Sequence, residues 1–247
     1  MNLTDIVKNK IYSQPLSDIK TDSKCFISTI NAYSFCMAKK DPQFAEILNT
    51  SDLLLPDGTS IVLASKLLGG KKIKKIAGWD IHQYLLSEAH LKGLKVFYLG
   101  ASQSTLKLIE NRVTQEFPSV NVASYSPPYK ATFSKEDNNE MITQVNAFSP
   151  DILFIGMTAP KQEKWGQEFK DALHTNVICS IGAVFDFYAG TVNRAPNWVL
   201  NLGMEWFYRL VKEPKRMWRR YLVGNTKFVY YVFVEKLQAL FNVSKKH

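Results

Sequence analysis

Pro150-Asp-Ile-Leu-Phe-Ile-Gly-Met-Thr-Ala-Pro-Lys-Gln-Glu-Lys-Trp165 runs from an unbroken apolar stretch through a short loop into a charged segment of helical period. An apolar run this short, with no alternation, reads as a strand buried on both faces. Thr158 reads as an N-cap, and Pro160 suits the first helical turn. The same pattern recurs along the chain. Cys25–Ile30, Asp52–Leu55, Lys95–Leu99, Val120–Ala123 and Asn176–Ile181 are further apolar runs, separated by segments of helical period. This alternation predicts an α/β fold, a Rossmann-like and mostly parallel sheet flanked by helices. Ligands of such sheets bind at the carboxyl ends of the strands.

After Ala195-Pro196 the strand pattern stops. The expected division is an α/β domain over 1–195 and a helical, basic, aromatic C-terminal appendage over 196–247. Of a formal net charge of +9, the last 39 residues supply +8, which calls for an anionic partner. Within the arm, Arg209, Lys212, Lys215, Arg216, Arg219 and Arg220 interleave with Trp206, Phe207, Tyr208, Trp218 and Tyr221. Arginine forks suit phosphate and aromatic rings suit a lipid headgroup region, so an interfacial helix fits. A helix packed on its own domain or on another subunit fits the same letters.

Cys25, Cys36 and Cys179 form no CxxC pair, which argues for a reducing, cytoplasmic setting. The first twenty residues lack the apolar core of a signal peptide, and no stretch is apolar enough to span a bilayer. The expected location is therefore peripheral, on a membrane surface. GxGxxG, GxxxxGK[ST], DxD and HExxH are missing from the sequence, so neither a metal nor a cofactor is expected.

Candidate site residues sit where strands end. In Pro56-Asp-Gly-Thr59, Asp57 follows a buried run. It reads either as a carboxylate facing the crevice, able to take a proton or hold a hydroxyl, or as a turn residue capping the next helix. Thr29 and Asn31 share one side of the first strand, Asn31 being equally a helix cap. Gly58 and Gly100 lie in strand-end loops. Lys161 and Gln162 open a helix, a position that attracts phosphate and equally often is a solvated helix end. Asp186 sits among aromatics, with Arg194 as an ion-pair partner or a ligand contact. Residues 124–134 form a proline- and aromatic-rich loop, plain connection or pocket wall.

Taken together, PDGTSIVLASKLLG (56–69), AGWD (77–80), VFYLGAS (96–102), PDILFIGMTAPKQEKW (150–165), GAVFDFYAGTVNRAP (182–196) and LGMEWFYRLVKEPKRMWRRYLVGN (202–225) resemble the WecG/TagA/CpsF family of bacterial glycosyltransferases, family 26. The resemblance implies transfer of a sugar, commonly N-acetylmannosamine or its uronic acid, from UDP to a polyprenyl-diphosphate-linked saccharide, with inversion and without a metal. It implies a catalytic role for Asp57 as general base with Thr29 beside it, and substrate binding by Asn31 and Gln162. It also implies that Arg209, Arg216 and Arg219 hold the acceptor diphosphate. Where many members carry G-V-G-G this chain has Ser180-Ile-Gly-Ala183, and where many carry D-G-Y-F it has Ser126-Pro-Pro-Tyr129, so the resemblance implies the reaction type rather than the donor sugar. The expected partners are a UDP-sugar, a polyprenyl-diphosphate acceptor and the inner face of the bacterial plasma membrane, with no nucleic acid; a homo-oligomer is admitted. The competing readings are a non-catalytic nucleic-acid-binding protein using the basic arm, and a membrane-associated nucleotide-sugar hydrolase.

Overall fold

A computed structural model describes residues 1–244; residues 245–247, and the side chains of Asn197, Asn201, Arg216 and residues 242–244, lie outside the description. Strands β1 (Cys25–Ile30), β2 (Leu53–Pro56), β3 (Lys95–Gly100), β4 (Asn121–Tyr125), β5 (Ile152–Gly156) and β6 (Val177–Ser180) form one sheet in the order β2-β1-β6-β5-β3-β4. Every pairing is parallel. Each expected apolar run is thus a strand, with ends shifted by a residue or two.

The helices in chain order are α1 (Leu3–Asp5), α2 (Ala32–Ala38), α3 (Pro42–Thr50), α4 (Thr59–Leu67), α5 (Gly78–Lys92), α6 (Gln103–Glu116), α7 (Lys135–Phe148), α8 (Lys161–Glu168) and α9 (Val184–Ala189). They are followed by α10 (Asn197–Asn201), α11 (Glu205–Lys212), α12 (Pro214–Trp218), a wide helical turn over Arg219–Val223, and α13 (Gly224–Ser244). Alternate strand residues point to opposite faces, and both faces are covered. On one, Tyr98 and Phe154 pack with Leu85 of α5, Leu106 of α6 and Phe185 of α9. On the other, Phe26, Leu153 and Ile178 pack with Met141 of α7 and Trp165 of α8. The outer edge of β2 is covered by the N-terminal segment, where the Tyr12 N–H donates to the Leu54 carbonyl at 2.9 Å.

The last helix is built into the first half of the chain. Along α13, Phe228, Tyr231, Val232 and Glu235 recur at helical spacing on one side. Phe228 and Val232 are buried in the cluster that holds Phe35 and Leu3, with Tyr231 half-buried against it. Phe35 meets Phe228 edge-on at 5.6 Å. Glu235 accepts from the Leu3 and Thr4 N–H groups at 2.9 and 2.7 Å, and from the Thr4 hydroxyl at 2.8 Å. No helix among the described residues is long and apolar enough to cross a membrane.

β3 leads to β4 at one side and its neighbour β5 leads to β6 at the other, so the chain reverses direction between them. That reversal opens a crevice at the strand ends. Gly100 and Gly156 face each other there, Gly100 at φ +122°, and a Cβ on Gly100 would stand 2.4 Å from the Gly156 carbonyl oxygen. Backbone cannot yield as a side chain can. Gly100→Ala is expected to lower the unfolding free energy by about 2 kcal/mol or more, read from urea denaturation midpoints.

Candidate active site

A cleft of about 1460 Å³ lies over the carboxyl ends of the strands, and Thr29, Asn31, Asp57, Gly100, Lys161, Gln162, Asp186, Arg194, Arg209 and Arg219 all line it. Gly58 does not line it; it stands just before α4 at φ +105° and turns the chain away from Asp57. The side chain of Arg216 lies outside the described residues.

Asp57 is fixed from the neighbouring strand. Its N–H donates to the Ile30 carbonyl at 2.9 Å, and Asn31 Nδ2 donates to its Oδ2 at 3.2 Å. Asn31 Oδ1 accepts from the Tyr33 and Ser34 N–H groups, both at 3.0 Å, and the Ser34 hydroxyl accepts from the Asn31 N–H at 2.8 Å. Capping α2 therefore decides which edge of the amide faces Asp57, and the two roles read for Asn31 are one arrangement. Asp57 itself caps nothing, because Gly58 occupies the cap position of α4 without a side-chain bond. Desolvation pushes the Asp57 carboxyl above its ordinary value. Glu205 adds to the rise, and Asn31, Arg220 and Lys75 oppose it without cancelling it.

After β5, α8 begins at Lys161. The expected cap at Thr158 does not form through its side chain. Its carbonyl instead accepts from the Lys161 N–H at 2.9 Å, a turn that delays the helix until after Pro160. Lys161 Nζ donates to the Lys130 carbonyl and stands 3.4 Å from the Phe133 ring centre, tying the 124–134 loop to the cleft as a wall. Burial lowers its pKa. Gln162 and Glu163 turn inward and are 4% and 2% exposed. Glu163 was not among the residues expected in the site, since a charged first turn reads as solvated.

The remaining wall is cationic and aromatic. Arg194 lies over Trp79 at 4.9 Å, Arg209 over Phe187 at 5.3 Å, Arg219 over Trp218 at 5.3 Å and Arg220 over Tyr33 at 5.2 Å. Stacking holds each guanidinium plane while leaving its edge for an anion. The Nε atoms of Arg209 and Arg220 are buried and have no hydrogen-bond partner among the described residues. Arg220 and Trp79 line the cleft without having been singled out as site residues. In sequence Arg220 was one of many arm cations, and only the fold sets it on Tyr33 of α2.

The fold and cleft define an α/β enzyme in which a positioned carboxylate faces a wall of arginines, an arrangement able to deprotonate a hydroxyl beside a bound phosphate ester. The chain belongs to a family described as "Glycosyl transferase WecG/TagA/CpsF family", whose model matches residues 2–241. It is 33% identical over 196 residues to the N-acetylglucosaminyldiphosphoundecaprenol N-acetyl-beta-D-mannosaminyltransferase of Bacillus subtilis (strain 168), covering 79% of this chain and 74% of that one. The enzyme of the same name from Staphylococcus aureus (strain MW2) is 27% identical over 217 residues, covering 85% of this chain and 84% of its own length.

Burial raises the Glu163 pKa from 4.5 to about 7, against the opposing bond from Gln162. A carboxyl with a raised folded-state pKa contributes stability that is full below about pH 4.5 and lost as the pH rises through about 7. The loss is on the order of 3 kcal/mol. Glu163→Gln is therefore expected to raise the melting temperature at pH 8 and change it little at pH 4, by scanning calorimetry.

Proposed function

We propose that this glycosyltransferase moves a sugar from a UDP-sugar to a saccharide carried on a polyprenyl diphosphate, with inversion at the anomeric carbon. The observation that carries the reading is Asp57, held by Asn31 on the rim of a cleft whose other wall is arginine. The relatives named above act, by their names, on a diphosphoundecaprenol-linked N-acetylglucosamine and transfer N-acetylmannosamine. The same acceptor chemistry, a diphosphate on a lipid, suits Arg209, Arg219 and Arg220 here, and Arg216 lies on α12, between α11 with Arg209 and the turn with Arg219 and Arg220.

Asp57 accepts the proton of the acceptor hydroxyl as that oxygen attacks the anomeric carbon. The bond from that carbon to the UDP phosphate oxygen breaks on the far face, and its electron pair leaves with UDP. An ordinary aspartate is a weak base at neutral pH; desolvation makes this one stronger. Thr29, on β1 next to Asn31, and Lys161 and Gln162 at the head of α8 line the space for the donor. No step calls on a metal or a cofactor. Asp57→Asn is expected to fold, to keep its affinity for UDP, and to lose roughly 100-fold or more of acceptor-dependent UDP release. The acid limb of wild-type kcat/KM should lie above the ordinary carboxylate range, since activity grows as the raised Asp57 loses its proton. Near-native transfer by Asp57→Asn would remove it from this role.

The arm places the enzyme on the lipid. Trp198, Leu202, Phe207, Val211, Trp218 and Leu222 are exposed apolar side chains on α10 and just after it, on α11, on α12 and on the turn that follows, close in sequence to the arginines of the cleft. Aromatics among cations favour a headgroup region, and apolar side chains reach just below it. This reading puts the protein on the cytoplasmic leaflet as a peripheral protein. Phe207→Ser with Trp218→Ser is expected to weaken co-sedimentation with vesicles of anionic phospholipid at least several-fold while UDP affinity stays unchanged. Because α13 shares the core of the first helices, these surface changes probe the arm without the damage that deleting it would cause.

A further inference from the structure

The arm that carries the arginines also carries a carboxylate into the cleft. Glu205 opens α11 and lines the same cleft as Asp57, one helical turn before Arg209. Its seat is built from the loop that holds Asp57. Gly203 lies at φ +70°, and a Cβ on it would stand 2.7 Å from Thr59 Cγ2, so the turn before α11 rests on the first residue of α4. The Ile76 N–H donates to the Pro56 carbonyl at 2.9 Å, which sets Lys75 beside the same loop. Lys75 Nζ stands 3.7 Å from Glu205 Oε2, the two side chains being 24% and 23% exposed. Lys75 itself does not line the cleft.

A carboxylate is out of place on a wall that binds an anion. Arg209, Arg219 and Arg220 attract a diphosphate, and Glu205 repels it. The positive end of a helix favours an acidic first turn, which accounts for the residue type but not for its place in the cleft. Lys75 offsets part of the charge, yet 3.7 Å is too long for a hydrogen bond, so the carboxylate keeps a field of its own. Among the described residues, the charged groups that act on Asp57 are Glu205 from α11, Arg220 from the turn before α13 and Lys75 from the segment before α5. Glu205 is the one acid of the three, and its effect on Asp57 exceeds that of either cation.

We propose that Glu205 is a positioning residue that acts through Asp57, a carboxylate brought to the cleft by the arm that makes Asp57 a stronger acceptor for the proton of the attacking hydroxyl. This rests on the base role given to Asp57 above. As the proton passes to Asp57 the negative charge there disappears, and the repulsion between the two carboxylates is relieved at the step where the base does its work. Lys75 sets the size of the effect, because it holds Glu205 in place while drawing off part of its charge. The arm thus serves both halves of the reaction, its arginines the diphosphate and Glu205 the base.

The test is the pH dependence of UDP release by the full chain, with UDP-N-acetylmannosamine as donor and a short polyprenyl-diphosphate-linked N-acetylglucosamine as acceptor, read as kcat/KM for the acceptor. Removing the negative charge makes Asp57 easier to ionise and a weaker base. Glu205→Gln is therefore expected to move the acid limb to lower pH and to reduce the plateau above it roughly three- to ten-fold, without raising the acceptor KM. Lys75→Met is expected to move the limb to higher pH, and the double variant should return it toward wild type. Looser seating of the arm would instead raise the acceptor KM in both variants and leave the limb where it was. An unmoved limb in Glu205→Gln, or limbs that move the same way in both variants, would overturn the proposal. Should Glu205→Gln fail to fold, Lys75→Met decides alone, since a limb that stays or moves to lower pH overturns it. Should this substrate pair give no transfer, the Asp57 carboxyl is titrated by carbon-13 NMR of aspartate-labelled protein, assigned with Asp57→Asn. It must then titrate lower in Glu205→Gln and higher in Lys75→Met than in wild type, and any other order overturns the proposal. Near-native transfer with an unchanged acid limb in Asp57→Asn overturns the base reading itself, a distinct result from a limb that needs Asp57 and ignores Glu205.

Discussion

A sheet buried on both faces has its backbone hydrogen bonds satisfied by neighbouring strands and its side chains committed to apolar contact, so polar chemistry is confined to the edge where the strands end. In this chain all strands of the sheet are parallel, and that edge is shared by β1, β3, β5 and β6 and by the loop after β2. Asn31 shows how little is then needed. One amide caps α2 with its oxygen and holds Asp57 with its nitrogen, so helix start and carboxylate aim are set together. The arginines come from the far end of the chain, because the core elements spend their surface on packing.

Much of this was legible in the sequence. The six apolar runs became the six strands, and Asp57, Asn31, Lys161 and Gln162 reached one cleft from strand ends and a helix start, joined by Arg194 from the loop after α9 and Arg209 from the last turn of α11. What stayed hidden depended on distances between elements. Glu163 follows two polar residues and precedes a lysine, a pattern that reads as solvated; its burial comes from how closely α8 lies on β1. A Cβ on Gly166 of α8 would meet the Phe26 ring at 2.8 Å, so the absence of that carbon lets the helix settle onto the strand. Arg220 is one cation in a crowded arm until Tyr33 arrives beneath it from α2.

The arm was legible as helical and amphipathic, but its letters fit both an interfacial helix and one packed on its own domain. The structure packs one stretch of the arm and leaves another exposed. The inner face of α13 carries Phe228, Val232 and Glu235 into the core, while Trp218 and Leu222, just before it, remain exposed. A residue pattern apolar on more than one side gives no ranking of its faces, and the partner that claims one of them, here Phe35, lies almost the whole chain away.

That distance matters for how the molecule comes into being. Glu235 completes the hydrogen bonding of Leu3 and Thr4 across a sequence separation of 232 and 231 residues. During synthesis the first turn of helix waits for its partner through nearly the entire passage of the chain from the ribosome, on the order of ten to fifty seconds at ordinary rates of elongation. Over that interval Phe35 and its neighbours have no Phe228 to cover them, and the apolar patch later sealed by α13 is open to whatever else can bind it. Completion of the core is thereby coupled to arrival of the arm, and a nascent chain stalled short of α13 would present that uncovered patch to chaperones and proteases.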